Sequence, residues 1–211
     1  MASTGNWNAV SEKATIARSI AALKENGIDA ELVSSAIEAK ARVLEIIPSG
    51  AEVMTMSSRT LEETGIADAI NGSGKYDSVK NKLNAMDRAK HNREMQRMGA
   101  APEWTVSSAH AVTEDGHILI ASMTGSQMAG EAGGSDHVIY VVGANKLVKN
   151  IDEGMKRIKE HVLPLESERV KVAYGLPGSK MNKVLIVNGE KLAWPSPVRS
   201  QVIFVNQKLG F

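Results

Sequence analysis

Three short loops rich in small polar residues carry the groups of this sequence that are best suited to chemistry. They run Ser57–Thr60, Met123–Gln127 and Gly143–Lys146. Hydroxyl groups, backbone N–H groups and the cations Arg59 and Lys146 are groups with which proteins hold phosphate and carboxylate. The loops therefore predict a pocket for a small anion: a phosphorylated sugar, an organic acid or a nucleotide-like group. The residues expected to bind it are Ser57, Ser58, Arg59, Thr60, Thr124, Gly125, Ser126, Gly143, Asn145 and Lys146.

A plainer interpretation stays open for each of these residues. The serines and threonines could merely cap the helices that follow, and Gly143 could merely turn the chain. No catalytic set is evident in the sequence. Glu114 could act as a general base or as a nucleophile. However, it precedes Asp115-Gly116, a common hairpin turn that would leave Glu114 facing solvent, so we keep it as an alternative only.

Helices and strands alternate along most of the chain, which predicts an α/β fold built on a mostly parallel open sheet flanked by helices. Expected helices are Trp7–Glu25, Ala36–Ile47, one from Leu61, Lys80–Met98, a brief Gln127–Ala132 segment and Ile151–Val162. Expected strands are Ile28–Val33, Ala51–Met56, His117–Ser122, Asp136–Val142, Lys183–Val187 and Val198–Val205. A crossover from the third to the fourth of these strands predicts a parallel pair. Its loops would lie at the carboxyl edge of the sheet, where open α/β proteins bind ligands.

Composition narrows the class of protein. The 211 residues, 43% of them hydrophobic, suffice for one substantial core. We expect a single α/β domain over residues 13–211, preceded by a segment 1–12 whose start is flexible. No apolar run approaches the ~20 residues that span a bilayer, and the N-terminus lacks the pattern of a secretion signal, so we expect a cytoplasmic protein without membrane contact.

Charge and motifs exclude several partners and cofactors. The formal charge is +1, from 25 basic and 24 acidic residues, and the basic run 82–99 is interrupted by Asp87 and Glu94. With only 4% aromatic residues, we expect no nucleic-acid partner. There is no cysteine to hold a cluster, and the five histidines lack zinc spacing. No dinucleotide or P-loop motif is present, so we expect neither metal nor cofactor.

Four ordered segments resemble the LUD-domain family, the relatives of lactate-utilisation protein C. They are MSSRTLEETGI, AVTEDGHILIASMTGSQMAG, HVIYVVGANKLVKNIDEGMKRIKEHVLP and VRSQVIFVNQKLGF. The resemblance implies the fold shared by ribose-5-phosphate isomerase and CoA transferases, with the N-terminal helix packed on it. It also implies a link to bacterial lactate oxidation beside iron–sulfur partner proteins. Many relatives have a GTGNR-like loop where this chain has MTGSQ, so the arginine of that loop is missing.

Three functions are compatible with these observations. The first is a component of lactate or other 2-hydroxy-acid oxidation that binds a small anionic ligand or an iron–sulfur partner protein. The second is an enzyme acting on a sugar phosphate or acyl-CoA through the anion pocket. The third is a ligand-sensing regulatory protein. A homo-oligomer is compatible with all three, and the sequence names neither the substrate nor a reaction.

Overall fold

The computed structural model describes residues 6–211. The α-helices are α1 (Lys13–Glu25), α2 (Ala36–Ile46), α3 (Arg59–Glu63), α4 (Ile66–Gly72), α5 (Val79–Ala85), α6 (Arg88–Ala100), α7 (Ile151–Arg157) and α8 (Leu163–Tyr174). The strands are β1 (Asp29–Val33), β2 (Glu52–Thr55), β3 (Asp77–Ser78), β4 (Trp104–Ser107), β5 (Ala111–Thr113), β6 (Ile118–Ser122), β7 (His137–Gly143), β8 (Leu147–Val148), β9 (Lys183–Val187) and β10 (Ser200–Val205). Wide π-helical turns occupy Gly130–Gly134 and Ile158–Val162, the latter joining α7 to α8.

The main sheet confirms the predicted α/β fold. It has six strands in the order β1-β10-β7-β4-β2-β3, and every neighbouring pair is parallel. The carboxyl ends of β2, β4 and β7, which are central or near-central strands, therefore lie at one edge of this sheet. The loops after those three strands begin at Met56, Ser108 and Ala144.

A second sheet corrects the expected partner of the His117–Ser122 strand. We predicted that this strand pairs in parallel with Asp136–Val142, and that is wrong. Instead, β5 and β6 form an antiparallel hairpin in a four-stranded sheet of order β8-β5-β6-β9, whereas β7 belongs to the main sheet. The cause is local, because Gly116 adopts φ 84° in the Asp115-Gly116 turn and folds the chain back at once.

Two predicted helices also differ from the observed ones. The first begins at Lys13 rather than Trp7, and the backbone N–H of Ser11 instead donates to the carbonyl of Ala144. The long Lys80–Met98 helix is two helices, because Met86 and Asp87 are extended and the Asp87 carboxylate caps α6 at the N–H of Ala89. The flexible start that we expected falls on residues 1–5, which lie outside the described residues.

Three apolar clusters hold the layers together. On one face of the main sheet, α2, α3 and α4 cover the strands through Val43, Leu61 and Ile66, which belong to one apolar cluster with Ile139 of β7. On the other face, Tyr140 and Phe204 pack with Ile118 of the second sheet. The α1 helix contributes to the same cluster, and α7 covers the outer face of the second sheet through Ile151 and Met155, together with Ile158 of the turn that follows. The second sheet is thus sandwiched between the main sheet and α7. Across residues 6–211, the helices are too short or too polar to span a bilayer.

Replacing Gly116 by alanine tests the packing of α1 on the β5–β6 hairpin. A Cβ at Gly116 would lie 2.7 Å from the carbonyl carbon of Ala22 and 2.8 Å from the backbone nitrogen of Leu23. We expect Gly116→Ala to reduce the free energy of unfolding by more than about 2 kcal/mol, measured by urea denaturation. As a control, Gly74→Ala at φ 67°, with open space around it, should cost about 1 kcal/mol. Equal losses would contradict the close approach of α1.

Candidate functional site

A cavity of about 270 Å³ opens between the carboxyl edge of the main sheet and the α7–α8 helices. Its floor is formed by the loops that follow β2, β4 and β7. One wall comes from the end of β6 and the loop after it, and the opposite wall from α8 with the segment that follows. The side chains that line it from the helices and the C-terminus include Ile158, Val162, Leu163, Glu166, Arg169, Val170, Tyr174 and Phe211.

The structure places half of the predicted ligand-binding residues along this cavity. Ser57, Ser58, Arg59, Thr124 and Lys146 all line it. Thr60 does not line the cavity, but its Oγ1 is 2.9 Å from the Lys146 Nζ. The three loops identified from sequence therefore do approach one another. The second of them, Met123–Gln127, follows β6 and therefore arrives from the second sheet rather than from the main one.

The remaining predicted residues have other surroundings. Gly125 and Ser126 line a neighbouring cavity beside α5 and α6. Gly143 and Asn145 are buried, and the Asn145 Oδ1 accepts a hydrogen bond of 3.1 Å from the backbone N–H of Leu209. This bond holds the C-terminal segment against the loop after β7. Asn145 therefore positions backbone rather than lining the cavity.

The arrangement of helix ends differs from the one expected for anion binding. The first loop precedes α3, which has only five residues, and the Ser58 side chain makes no capping bond. Arg59 is paired with the carboxylates of Glu62 and Glu63 at 3.0 and 3.5 Å. After the second loop, the chain forms a brief turn and then the Gly130–Gly134 π-turn. The strongest groups for an anion therefore lie elsewhere in the cavity.

Lys146 is the one buried lysine of residues 6–211, with 3% of its surface exposed. Its Nζ donates to the Thr60 Oγ1, to the Ser108 Oγ at 3.2 Å and to the carbonyl oxygen of Ala109 at 3.2 Å. Burial, together with the nearby positive charge of Arg157, lowers the pKa of Lys146 to about 7. The amine therefore gains or loses its proton near neutral pH at the cavity wall.

Arg157 adds a second buried cation next to the cavity. Its side chain is fully buried, and Nη1 donates to the carbonyl oxygen of His110, while Nε and Nη2 have no hydrogen-bond partner in the described part of the chain. Burial lowers its pKa to about 10. His110 lines the cavity, and its pKa falls to about 3 through burial and the charges of Lys146 and Arg157. The histidine is therefore neutral, and its Nδ1 accepts from the N–H of Ala121 at 3.2 Å.

A buried acid lies on the other side of the same loop. The Ser107 hydroxyl, which lines the cavity, donates to the Glu131 Oε1 at 2.6 Å. Glu131 is fully buried in the Gly130–Gly134 turn, and its Oε2 has no hydrogen-bond partner among the described residues. Burial raises the pKa of Glu131 to about 7, against the opposing effect of the Ser107 hydrogen bond. Ser107 thus contacts the buried carboxyl group of Glu131, and the next residue, Ser108, contacts the buried amine of Lys146.

Sequence reasoning missed four of these residues: Ser107, Ser108, Glu131 and Arg157. The available signal for the serines was their position at the end of the strand Trp104–Ser107 and directly after it, but we did not predict this strand. Glu131 and Arg157 gave no comparable signal. A charged residue in a glycine-rich turn or in an amphipathic helix is usually exposed, and its burial depends on tertiary packing.

Glu114, the alternative catalytic residue, lies away from both cavities. Its Oε2 accepts from the Arg18 guanidinium at 2.8 Å, so α1 is tied to the β5–β6 hairpin. The predicted Asp115-Gly116 hairpin turn is present. Glu114 therefore has a structural role here and does not contact the space in which a ligand would lie.

The family model of the LUD domain matches residues 16–178, well over half of the chain. The chain therefore belongs to the LUD domain family. Its fold is similar to the crystal structure of a DUF162 family protein from Deinococcus radiodurans. The TM-score is 0.54 at 15% sequence identity, and the match covers 93% of this chain and 99% of that one. No curated protein matches the chain.

Replacing Glu131 by glutamine tests the burial of this acid through the pH dependence of stability. The folded protein keeps the Glu131 proton up to about pH 7, whereas the unfolded chain loses it near pH 4.5. Wild type should therefore lose stability relative to Glu131→Gln as the pH rises from 4.5 through 7, by roughly 3 kcal/mol in total. Urea unfolding between pH 4.5 and 8 measures this. Glu25→Gln at an exposed site should show no such trend. If the difference in free energy of unfolding between wild type and Glu131→Gln did not change with pH, the burial of Glu131 would be contradicted.

Proposed function

We propose that this protein binds a small organic acid, a 2-hydroxy or 2-oxo acid, in the cavity beside Lys146, as a component of lactate or other 2-hydroxy-acid oxidation. Membership of the LUD domain family relates the chain broadly to lactate utilisation. The choice of ligand rests on the cavity itself. Of the residues named from sequence, Ser57, Ser58, Arg59, Thr124 and Lys146 are proposed to contact the ligand, with Thr60 positioning the lysine.

The observation that carries this proposal is buried positive charge without a matching buried anion. In the described part of the chain, neither Lys146 nor Arg157 forms an ion pair with a carboxylate. Glu63 is the acid that acts on Lys146, and it is partly exposed and already accepts from the N–H of Gly210. Buried charges are costly unless they are paired, so a carboxylate in the cavity would stabilise both cations.

The lining of the cavity suits a short ligand. Its volume of about 270 Å³ admits a molecule of a few carbon atoms and lies just below the roughly 300–1,000 Å³ of typical small-molecule pockets. Hydroxyl groups of Ser58, Ser108 and Thr124 can bond a ligand hydroxyl or carbonyl oxygen. Ile158 and Val162 offer apolar contact for a short alkyl group on the side of the helices.

We also propose an iron–sulfur protein as the partner that would carry electrons from the acid. The chain itself has no cysteine with which to hold a cluster. Exposed apolar side chains lie on and after α8: Val172 is 88% exposed, and Tyr174 and Leu176, which line the cavity, are 60% and 43% exposed. Such a group favours contact with another protein. Co-purification of an iron–sulfur protein with wild type, and its loss from Val172→Ser, Leu176→Ser, tests this partner.

The ligand proposal is tested by thermal unfolding with lactate, pyruvate, glycolate, sugar phosphates and CoA esters. A ligand at 100 times its Kd should add about 2.7 kcal/mol of stability to the wild type. Lys146→Met should abolish this increase, whereas Lys149→Met, three residues away and exposed, should retain it. A shift by pyruvate or lactate that is equal in all three proteins would place the ligand elsewhere. A shift by CoA esters alone would favour an acyl-CoA ligand over a small acid.

The affinity for a small carboxylate should also depend on pH. Because burial lowers the pKa of Lys146 to about 7, the ammonium that attracts the ligand is lost above that pH, while the carboxylate stays ionised. We expect the Kd to rise by up to about tenfold per pH unit above 7, and to rise in the same way in the control Lys149→Met. Isothermal titration calorimetry at pH 6.5, 7.5 and 8.5 measures this. A Kd that stays constant in wild type would contradict a role for the Lys146 charge.

A further inference from the structure

The amine of Lys146 combines three properties that are rare in one side chain of a soluble protein. It is buried, it lines a cavity, and two hydroxyl groups and a carbonyl group surround its nitrogen. We propose that Lys146 is a nucleophile that forms an imine with the carbonyl group of a 2-oxo acid. This inference rests on the proposed function for the carboxylate of the ligand, and it adds covalent chemistry to binding.

The hydrogen bonds around Nζ suit both protonation states of the amine. The Thr60 and Ser108 hydroxyls accept from an ammonium group, and either can rotate to donate to the lone pair of a free amine. The Ala109 carbonyl accepts a proton of Nζ in both states. Among residues 6–211, no carboxylate is bonded to Nζ that would fix it as an ammonium. The nitrogen is thus held in place without losing its nucleophilic form.

The surroundings of Lys146 also increase the fraction of its side chain that is a free amine at neutral pH. An ordinary lysine with a pKa near 10.5 is less than about a thousandth free amine at pH 7. Burial and the Arg157 charge lower the pKa of Lys146 to about 7, so roughly half of the molecules carry the free amine. Every other described lysine is exposed or partly exposed. Lys146 is therefore the lysine best suited to attack a carbonyl carbon.

The reaction balances without any further reactant. The Nζ lone pair forms a bond to the carbonyl carbon, and the electron pair of the C=O bond moves to oxygen. A proton from nitrogen then reaches that oxygen to give a carbinolamine, and the Ser108 or Thr60 hydroxyl is placed to relay it. Loss of this oxygen as water leaves a C=N bond to Lys146. The carboxylate of the acid stays in the positive potential of Arg157, and neither oxidation nor reduction occurs.

The test is reductive trapping of the full chain with pyruvate and sodium borohydride, followed by peptide mass mapping. We expect one reduced pyruvyl group on the Lys146 peptide, at least tenfold more than on any exposed lysine. Lactate has no ketone, so it should give no adduct. Lys146→Arg should lose the adduct and Lys149→Arg should keep it. Mapping the wild type keeps the test valid if Lys146→Arg fails to fold, because the modified position is then read directly.

The pH dependence and the unfolding data separate the possible failures. Trapping at Lys146 should increase through pH 7, whereas labelling of exposed lysines should increase only near pH 10. Adducts spread over exposed lysines would overturn the inference. Stabilisation by pyruvate and lactate without an adduct would overturn the imine and leave the binding function standing. Neither stabilisation nor an adduct would overturn both proposals.

Discussion

The contacts of the Lys146 amine are the interaction on which the rest of the site depends. They join three segments that are far apart in sequence: Thr60 in α3, Ser108 and Ala109 after β4, and Lys146 itself after β7. The neighbouring Asn145 holds the C-terminal segment through Leu209. One short loop thus organises the carboxyl edge of the main sheet by hydrogen bonds. A cationic group at this place imposes a desolvation cost that apolar packing of the two sheets must offset.

The second sheet explains how a buried cation can also line a cavity. It packs against one face of the main sheet through Ile118 and Ile120, and α7 packs on its outer face through Met155. The α7–α8 helices then extend past the edge of the sheets and form a wall opposite the loops. Arg157 lies at the end of α7, where it donates to the His110 carbonyl. The cavity therefore results from the packing of the two sheets and the helices. Its positive charge comes from Lys146 and Arg157, which the same packing buries.

The mostly parallel sheet and the three loops could be predicted from local sequence patterns, because these features depend on residues that are close together in the chain. Apolar runs ended by glycine or serine gave β2, β6 and β7, and the Asp115-Gly116 pair gave the hairpin. The division into two sheets was not predicted, since the pairing of β6 with β9 joins segments about 65 residues apart. For the same reason Glu131 and Arg157 were missed. Their sequence surroundings are typical of exposed residues, and only the packing of distant segments buries them.

Two titratable groups with opposite shifts contact the consecutive serines Ser107 and Ser108. Burial raises the pKa of Glu131 to about 7, and burial with the Arg157 charge lowers the pKa of Lys146 to about 7. An acid and a base with nearly equal pKa values can be both neutral or both charged at little difference in free energy. An anion entering the cavity favours the ammonium form of Lys146, whereas an attacked carbonyl group requires the free amine. The charge and the chemistry of the ligand, rather than the fold alone, therefore determine which protonation state the site adopts.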